Sequence, residues 1–312
     1  MLFPIDHGNY AIKTPNECFI AGLAEYSVQP PLAEHVIEYS GSFWTLTGSR
    51  IPTMRDKAKD DRYFIFTLFA IARELSTQGE LPPYLDADLA VGLPPEHFSA
   101  LKDKFAGYFK RSGVKFAYNG SPVCLSIRRV LVYPQAYAAV VPQSRLLMNT
   151  PRMFIIDIGG YTTDVLLLRN SKPDLEFCRS LELGVITMNN DISGKVSALH
   201  DMKIEDDHIT AVIRGEETIL PDDVVKTIRE SAARHADTIL NKLRELQVDL
   251  RSNPVIFIGG GSVLFKNYLE DSPMVVKSNF ILDPKANAIG FGMLADAQIR
   301  KLSANGVHNE NA

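Results

Sequence analysis

The sequence predicts a two-domain α/β protein. The chain has 312 residues, more than a single compact core usually holds, so two domains are the natural expectation. Short apolar segments typical of strands alternate with amphipathic segments typical of helices. An apolar strand that ends in aspartate and continues into a glycine turn occurs near the start of the chain and again near its middle. The second half of the chain therefore repeats the plan of the first.

The first half begins with strands and continues with helices. Residues 2–6 and 10–13 are short apolar segments on either side of His7, Gly8 and Asn9, a pattern that predicts a tight hairpin. Two later segments place phenylalanine and leucine at helical spacing. The elements expected here are strands over 34–39, 43–47, 88–91, 114–118 and 123–132, a helix over 60–75, a helix after Pro95 with the apolar stripe Phe98, Leu101, Phe105 and Phe109, and a short helix from Pro134.

The second half alternates in the same way and ends in helix. A long amphipathic segment, 222–246, carries Asp222 and Asp223 in its first turn, where negative charge suits the helix dipole. The other elements expected here are strands over 153–157, 162–168, 175–181 and 254–258, and helices over 185–199, 206–213, from the glycines at 259–261, and over 287–302.

Composition and charge exclude several classes of protein. The formal net charge is −4, so long-range electrostatics do not favour direct binding to nucleic acid. The three cysteines are far apart and show no metal-ligand or disulfide spacing. The N-terminus lacks the pattern of a signal peptide, and no apolar run approaches the length of about 20 residues that a membrane helix needs. We expect a cytoplasmic protein that binds neither membrane nor nucleic acid directly.

Two similar turns are the main candidates for chemistry. The first lies in residues 3–10 and contains Asp6 and Gly8; the second lies in residues 154–164 and contains Asp157, Gly159 and Gly160. Glycine allows a ligand to approach the backbone, and successive N–H groups in such a turn bind anions. Aspartate at a strand end can hold Mg²⁺ through the water shell of the ion. Two such turns facing each other would grip one polyphosphate from both sides.

A third glycine turn follows a buried strand late in the chain. Residues 255–258 are apolar, and Gly259, Gly260, Gly261 and Ser262 come directly after them. Such a strand-to-helix turn lets the backbone pack against a ring or ribose and points N–H groups at phosphate. The chain lacks the P-loop pattern, and no G-x-G-x-x-G follows its first strand. A P-loop protein and a dinucleotide-binding Rossmann domain are both disfavoured.

The order of these motifs resembles the actin, chaperone and sugar-kinase superfamily, and the ParM/StbA group of bacterial actin-like proteins in particular. The resemblance rests on the two aspartate turns, the third glycine turn and Pro134-Gln135-Ala136 between them. The segments 91–97 and 287–292 are also similar to that group. The resemblance implies an actin-like fold of two ribonuclease-H-like domains, with a nucleotide cleft between them. The first domain would contain residues 1–150 and 287–312, and the second residues 151–286.

The resemblance also implies roles in the first domain. Asp6, Gly8, Asn9 and Tyr10 would form the first phosphate turn. Lys13 would reach the β- and γ-phosphates as a point charge, or would simply lie on an exposed strand face. Two departures bear on this turn: His7 replaces the small or acidic residue expected there, and Pro4 must sit where no ladder hydrogen bond is needed.

Catalysis and the second domain follow from the same resemblance. Gln135 occupies the place where the family has a residue that orients the attacking water. Because a neutral amide is a poor base, its role would be to position the water. Glu230, on the long helix, would approach the base, or is a solvated helix glutamate. The second phosphate turn would consist of Asp157, Gly159, Gly160, Tyr161 and Thr162. Asp6 and Asp157 would be the residues beside Mg²⁺. The adenosine would lie against Gly259, Gly260, Gly261 and Ser262.

The function implied is that of an ATPase that forms filaments. Nucleotide binding would close the cleft, subunits would assemble head to tail, and hydrolysis would weaken the polymer. Plasmid segregation through a DNA-binding adaptor is the role typical of the group, with ATP or GTP as the nucleotide. Two alternatives stay open: a small-molecule (sugar-type) kinase of the same fold, and a scaffold that binds nucleotide without hydrolysing it. A kinase would need a carboxylate to accept the proton of a substrate hydroxyl.

Overall fold

The computed structural model of the chain consists of two α/β units. Unit 1 contains residues 1–144 and 285–312, and unit 2 contains residues 145–284. The structure describes residues 1–54, 56–77, 79, 81–147 and 150–309.

The strands of unit 1 form one mixed sheet with a parallel centre. Its described strands are β1 (Leu2–His7), β2 (Ala11–Lys13), β3 (Cys18–Ile20), β4 (Leu23–Tyr26), β5 (Val36–Tyr39), β6 (Ser42–Leu46), β7 (Tyr84–Leu93), β8 (Val114–Tyr118) and β9 (Ser121–Pro134). They lie in the order β3-β2-β1-β7-β9-β8-β5-β6-β4. β7 pairs in parallel with both β1 and β9, whereas β2 returns antiparallel to β1. The carboxyl ends of the three parallel strands therefore share one edge of the sheet.

Helices cover this sheet on both faces. They are α1 (Arg62–Ser76), α2 (Pro95–Phe109), the short α3 (Tyr137–Val140), a 3₁₀ segment at Val141–Leu147 that reaches into unit 2, and α9 (Ala286–Asn309). α1 is buried on nearly every side because residues 63–72 are almost all apolar. The apolar stripe expected in α2 is only partly correct: Phe105 and Phe109 are buried, but Leu101 is exposed.

Unit 2 has a smaller sheet and a helical layer. Its described elements are β10 (Arg152–Ile158), β11 (Thr163–Arg169), β12 (Lys172–Leu181), α4 (Val185–His200), α5 (Asp206–Arg214), α6 (Asp222–Glu245), β13 (Val255–Ile258), α7 (Gly260–Leu264), α8 (Lys266–Glu270) and β14 (Ser278–Phe280). The strands lie in the order β12-β11-β10-β13-β14. β13 pairs in parallel with β10, which places Ile258 opposite Asp157. The apolar faces of α4 and α6 pack with the sheet into a single core.

The structure confirms the predicted α/β class and most of the predicted elements. β3, β4 and β14 were not expected, because three or four residues are too few to display an alternating pattern. Pro4 lies where expected: the antiparallel pairing of β1 with β2 involves only Asp6 and His7, so Pro4 faces no partner on that side. Among the described residues, no helix combines the length and the apolar character needed to cross a membrane.

Candidate functional site

The first aspartate turn places a buried carboxylate beside an amide and an ammonium group. Asp6, near the end of β1, is only 2% exposed. The side-chain amide Nε2 of Gln135 donates to its Oδ1 over 2.9 Å. Lys13 Nζ lies 3.4 Å from its Oδ2. A buried carboxylate needs such partners because leaving a charge unpaired in the interior is costly. The structure thus brings together three residues that the sequence singled out.

These contacts also decide which way the Gln135 amide faces. A carboxylate can only accept hydrogen bonds, so the amide nitrogen must face Asp6, and the amide oxygen Oε1 remains an acceptor. Gln135 follows β9, and Asp6 lies near the end of β1; both strands run parallel to β7. The side chain of Lys13 is 19% exposed, so Lys13 is not a lysine on an open strand face.

The turn itself is too tight for a side chain at Gly8. A Cβ there would lie 2.6 Å from the carbonyl oxygen of Ala11. The Asn9 side chain points into unit 1, since its Oδ1 accepts hydrogen bonds from Tyr63 Oη at 2.9 Å and from Met54 N–H at 3.4 Å. Tyr10 is exposed. The backbone of this turn is therefore fixed from the inside, through a side chain that the sequence assigned to phosphate contact.

His7 is a second internal anchor of the same turn. Its ring is fully buried, stacks on Phe109 with ring centroids 4.8 Å apart, and approaches Thr67 Oγ1 to 2.9 Å through Nε2. Because the Thr67 hydroxyl donates to the Tyr63 carbonyl, the imidazole must donate through Nε2. Burial, and next the positive charge of Lys57, lower the pKa of His7 to about 3. The imidazole is therefore neutral at physiological pH.

Sequence reasoning missed three residues that hold this turn. Tyr63 and Thr67 lie on α1, and the Lys57 ammonium donates to the His7 carbonyl. Each is separated from the turn by about fifty residues or more, and the apolar periodicity of α1 gave no sign of a polar role. Only the packing of α1 against β1 makes them neighbours.

The second aspartate turn is held by the start of a helix. β10 and β11 pair so that Asp157 lies opposite Asp164, and Gly159 N–H donates to the Thr162 carbonyl over 2.8 Å. The first N–H groups of α4 donate to this turn, Val185 to Gly159 O at 3.1 Å and Ile186 to Gly160 O at 2.7 Å. These bonds satisfy donors that a helix start leaves without intrahelical partners, and they fix the turn.

Gly184 is a further member of this turn that the sequence did not reveal. A Cβ on Gly184 would lie 2.5 Å from the Gly160 carbonyl oxygen and 2.5 Å from the Tyr161 carbonyl carbon. Only glycine allows α4 to start so close to the turn. The one available signal was a glycine immediately before a predicted helix. At the far side of the turn, Thr162 Oγ1 donates to Asp164 Oδ2 over 2.9 Å.

The third glycine turn lies directly against Asp157. Gly259 has a φ of 87°, and a Cβ there would lie 2.3 Å from Asp157 Oδ1 and 2.6 Å from the Ile158 carbonyl oxygen. Gly261 is equally restricted, because its Cβ would lie 2.4 Å from Ile158 Cγ2, whereas Gly260 faces open space. Within unit 2, the third turn therefore packs closely on the second, with Gly259 against the Asp157 carboxylate and Gly261 against Ile158.

Two candidate residues have surroundings that limit their roles. Ser262 is fully buried and its hydroxyl donates to the Ile258 carbonyl, so its side chain is committed to the interior. Glu230 lies on the exposed side of α6, with its carboxylate 3.9 Å from Lys226 and 3.7 Å from Arg234. Both partners belong to the same helix, which is the environment of a solvated helix glutamate.

The metal that the sequence resemblance implies is Mg²⁺, bound together with the phosphates of a nucleotide. No group of three His, Cys, Asp or Glu side chains able to hold a metal occurs in the part of the chain that the structure describes. Mg²⁺ usually keeps several waters and takes one or two carboxylates together with substrate phosphates. Asp6 in unit 1 and Asp157 in unit 2 each lie at a strand end beside a glycine turn, and each supplies a carboxylate of the kind that this mode of binding uses.

Two family models match separate parts of the chain. The family model described as "Actin like proteins N terminal domain" matches residues 34–137, and the model described as "Archaeal actin homologue MreB-like, C-terminal" matches residues 155–271. No curated protein sequence matches the chain.

Solved structures with a similar fold cover nearly the whole length of the chain. Ta0583, an archaeal actin homologue in complex with ADP, is 18% identical, with 95% of this chain and 99% of that chain covered and a TM-score of 0.73. Bacillus thuringiensis ParM with ATP is 12% identical, with 96% and 99% covered and a TM-score of 0.66. The Alp12 filament structure is 14% identical, with 96% and 98% covered and a TM-score of 0.61. At these identities the likeness establishes the fold.

Proposed function

We propose that this chain, in which residues 34–137 and 155–271 match family models of actin-like proteins, is an ATPase whose nucleotide cycle controls assembly into filaments. The observation that carries the hydrolytic part of this proposal is the 2.9 Å hydrogen bond between the Gln135 amide and the buried Asp6 carboxylate. It places a neutral, orienting group beside an acidic one at the end of the first strand. Such a pair suits the positioning of water and Mg²⁺ around a phosphate.

Nucleotide binding is supported by the two aspartate–glycine turns. We propose that the turn of Asp6 and Gly8 and the turn of Asp157 and Gly159 both contact the phosphates, with Lys13 as an additional positive charge. The third glycine turn, residues 259–261, would lie against the ribose and base. Structures of this fold contain ADP in Ta0583 and ATP in B. thuringiensis ParM, which favours ATP over GTP.

Hydrolysis would depend on positioning more than on acid–base chemistry. Bound Mg²⁺ would neutralise charge on the phosphates, and Asp6 and Asp157 would hold it through water. Gln135 donates one amide hydrogen to Asp6, so its Oε1 is available to accept a hydrogen bond from the attacking water. An amide is a weak base, and turnover should consequently be slow. Slow turnover suits a polymer whose lifetime is set by hydrolysis.

Filament formation and its cellular role complete the proposal. Alp12 and AlfA, two proteins with this fold, are known as filament structures, and AlfA comes from a plasmid. We propose a head-to-tail homopolymer in the cytoplasm that moves plasmid DNA through a DNA-binding adaptor. The formal charge of −4 agrees with an adaptor making the DNA contact.

Light scattering and phosphate release measured on the same samples test this proposal. The purified chain should scatter strongly with ATP and Mg²⁺, weakly with ADP, and should release phosphate as the scattering decays. Gln135→Ala should slow phosphate release by about 100-fold and prolong the scattering. Gln29→Ala, at an exposed position in unit 1, is the control and should behave as wild type.

Each alternative gives a different result in this experiment. Constant scattering under all nucleotides would refute the filament. ATP binding without phosphate release in the wild type would indicate a scaffold, and phosphate transfer that requires an added hydroxyl compound would indicate a kinase. Glu230→Ala should weaken nucleotide binding if Glu230 contacts the base, and unchanged affinity would remove it from the site.

A further inference from the structure

A strained turn directly follows Gln135. Ala136 has a φ of 63° and a ψ of −56°, and Tyr137 N–H donates to the Gln135 carbonyl over 2.6 Å. These values describe a γ-turn with positive φ at its central residue, the rare and strained form. Ala136 is fully buried. A residue other than glycine keeps such a conformation only where its surroundings hold it, and positions of this kind concentrate at functional sites.

Asn287, in the first turn of α9, holds Ala136. Its Oδ1 accepts the Ala136 N–H over 3.0 Å, and Asn287 is itself only 8% exposed. A buried N–H requires a partner, and this one obtains it from a side chain about 150 residues away. The two segments can approach because residue 290 is glycine: a Cβ there would lie 1.8 Å from the Ala138 carbonyl oxygen.

Gln135 is also fixed on its other side. Its N–H donates to the Leu93 carbonyl over 2.8 Å, and its side chain donates to Asp6. The backbone conformation of Gln135 sets the direction of that side chain. The γ-turn begins at this residue and so constrains its backbone. Without the Asn287 contact, Ala136 would relax toward the favoured negative φ values, and the carbonyl and side chain of Gln135 would turn with it.

We infer that Asn287 is a positioning residue for hydrolysis, which keeps Ala136 in the strained γ-turn and thereby aims the Gln135 amide at Asp6. The inference rests on the proposed role of Gln135 in orienting water. It also assigns a role to the segment 287–292, since Asn287 would hold Ala136 and Gly290 would let the two segments approach each other. Asn287 itself touches neither nucleotide nor water in this proposal.

Four variants test the inference: Asn287→Ala, Asn287→Asp, Ala136→Gly, and the double variant Ala136→Gly with Asn287→Ala. Asn287→Ala should lower kcat by about 10- to 100-fold, since small misplacements of a catalytic group have effects of this size, and should change the Kd for ATP by less than about twofold. Asn287→Asp retains an acceptor oxygen and should retain most of the rate. Glycine accepts positive φ without support, so Asn287→Ala should lower kcat much less in a chain that already carries Ala136→Gly.

Hydrogen exchange gives a readout that does not depend on turnover. The Ala136 N–H should exchange at least about tenfold faster in Asn287→Ala than in wild type when no nucleotide is present. Thermal unfolding shows which variants are folded. If Asn287→Ala does not fold, Asn287→Asp and the two variants that carry Ala136→Gly still decide the question through kcat and Kd.

The possible failures are distinguishable. If Gln135→Ala abolishes turnover but Asn287→Ala does not, the inference is wrong and the proposed function stands. Parallel losses of kcat and ATP affinity, with and without the Ala136→Gly substitution, would also overturn it, because they indicate a general structural defect. If wild type lacks turnover, or Gln135→Ala leaves it unchanged, the proposed function fails and this inference fails with it.

Discussion

Replacing Gly259 with alanine should damage unit 2 at the point where Asp157 lies. Two effects add at this position. Gly259 has a φ of 87° and a ψ of 163°, a conformation that is almost exclusive to glycine and costs alanine about 1–3 kcal/mol. The new Cβ would also lie 2.3 Å from Asp157 Oδ1 and 2.6 Å from the Ile158 carbonyl oxygen, so β10 and β13 must separate slightly, at a typical overpacking cost of about 1–3 kcal/mol.

The sum, about 4 kcal/mol, is large enough to measure. For a unit of this size it corresponds to a fall in Tm of about 10 °C. We expect this loss of stability in the unfolding transition of unit 2, because a chain of two units need not unfold in one step. Thermal and urea unfolding measure that transition. Displacement of the Asp157 carboxylate should also weaken ATP binding in the presence of Mg²⁺ by at least about tenfold, if the proposed function is correct.

Gly260 provides the control, one residue further along the chain. A Cβ on Gly260 meets no atom within 4 Å, and its φ is not positive. Gly260→Ala should therefore change the free energy of unfolding by less than about 0.5 kcal/mol, or increase it slightly. Equal stabilities of the two variants would refute the argument that backbone conformation and contact with Asp157 require glycine at residue 259.

Three further predictions concern other positions. Gly290→Ala should lower the free energy of unfolding of unit 1 by at least about 2 kcal/mol, because its Cβ would lie 1.8 Å from the Ala138 carbonyl oxygen; Gly194→Ala, at an exposed position in α4 with open space around it, should be neutral or stabilising, and urea unfolding compares the two. Ser262→Ala should lower the free energy of unfolding by about 1 kcal/mol through loss of the hydrogen bond to Ile258, while the Kd for ATP measured by titration stays within about twofold; a large loss of affinity would contradict the inward placement of this side chain. The folded pKa of His7, about 3, lies below its ordinary value of 6.5, so between these pH values the unfolded chain binds a proton that the folded chain does not, and stability should fall with decreasing pH by up to about 1.4 kcal/mol per unit; urea unfolding at a series of pH values should show a shallower dependence in His7→Asn, and identical slopes would mean that His7 is not buried and neutral.

The sequence alone was sufficient for the fold class and for the location of the three glycine turns. Strands and helices longer than about five residues leave periodic apolar patterns, and most of those predicted are present, from α1 to α6. An aspartate that ends an apolar strand before a glycine is also visible locally. Phosphate-binding turns are local structures, so their residues are neighbours in the chain and can be recognised without any knowledge of tertiary contacts.

The partners of those turns were decided by tertiary structure. The contact of Gln135 with Asp6 arises because β9 and β1 run parallel to the same strand, and the roles of Thr67 and Asn287 depend on how α1 and α9 pack on the sheet. The need for glycine at residue 184 depends on where α4 begins relative to the turn at 159–162. Local pattern specifies local backbone conformation, whereas a hydrogen bond between residues a hundred positions apart exists only once strand order and helix packing have brought them within 3 Å.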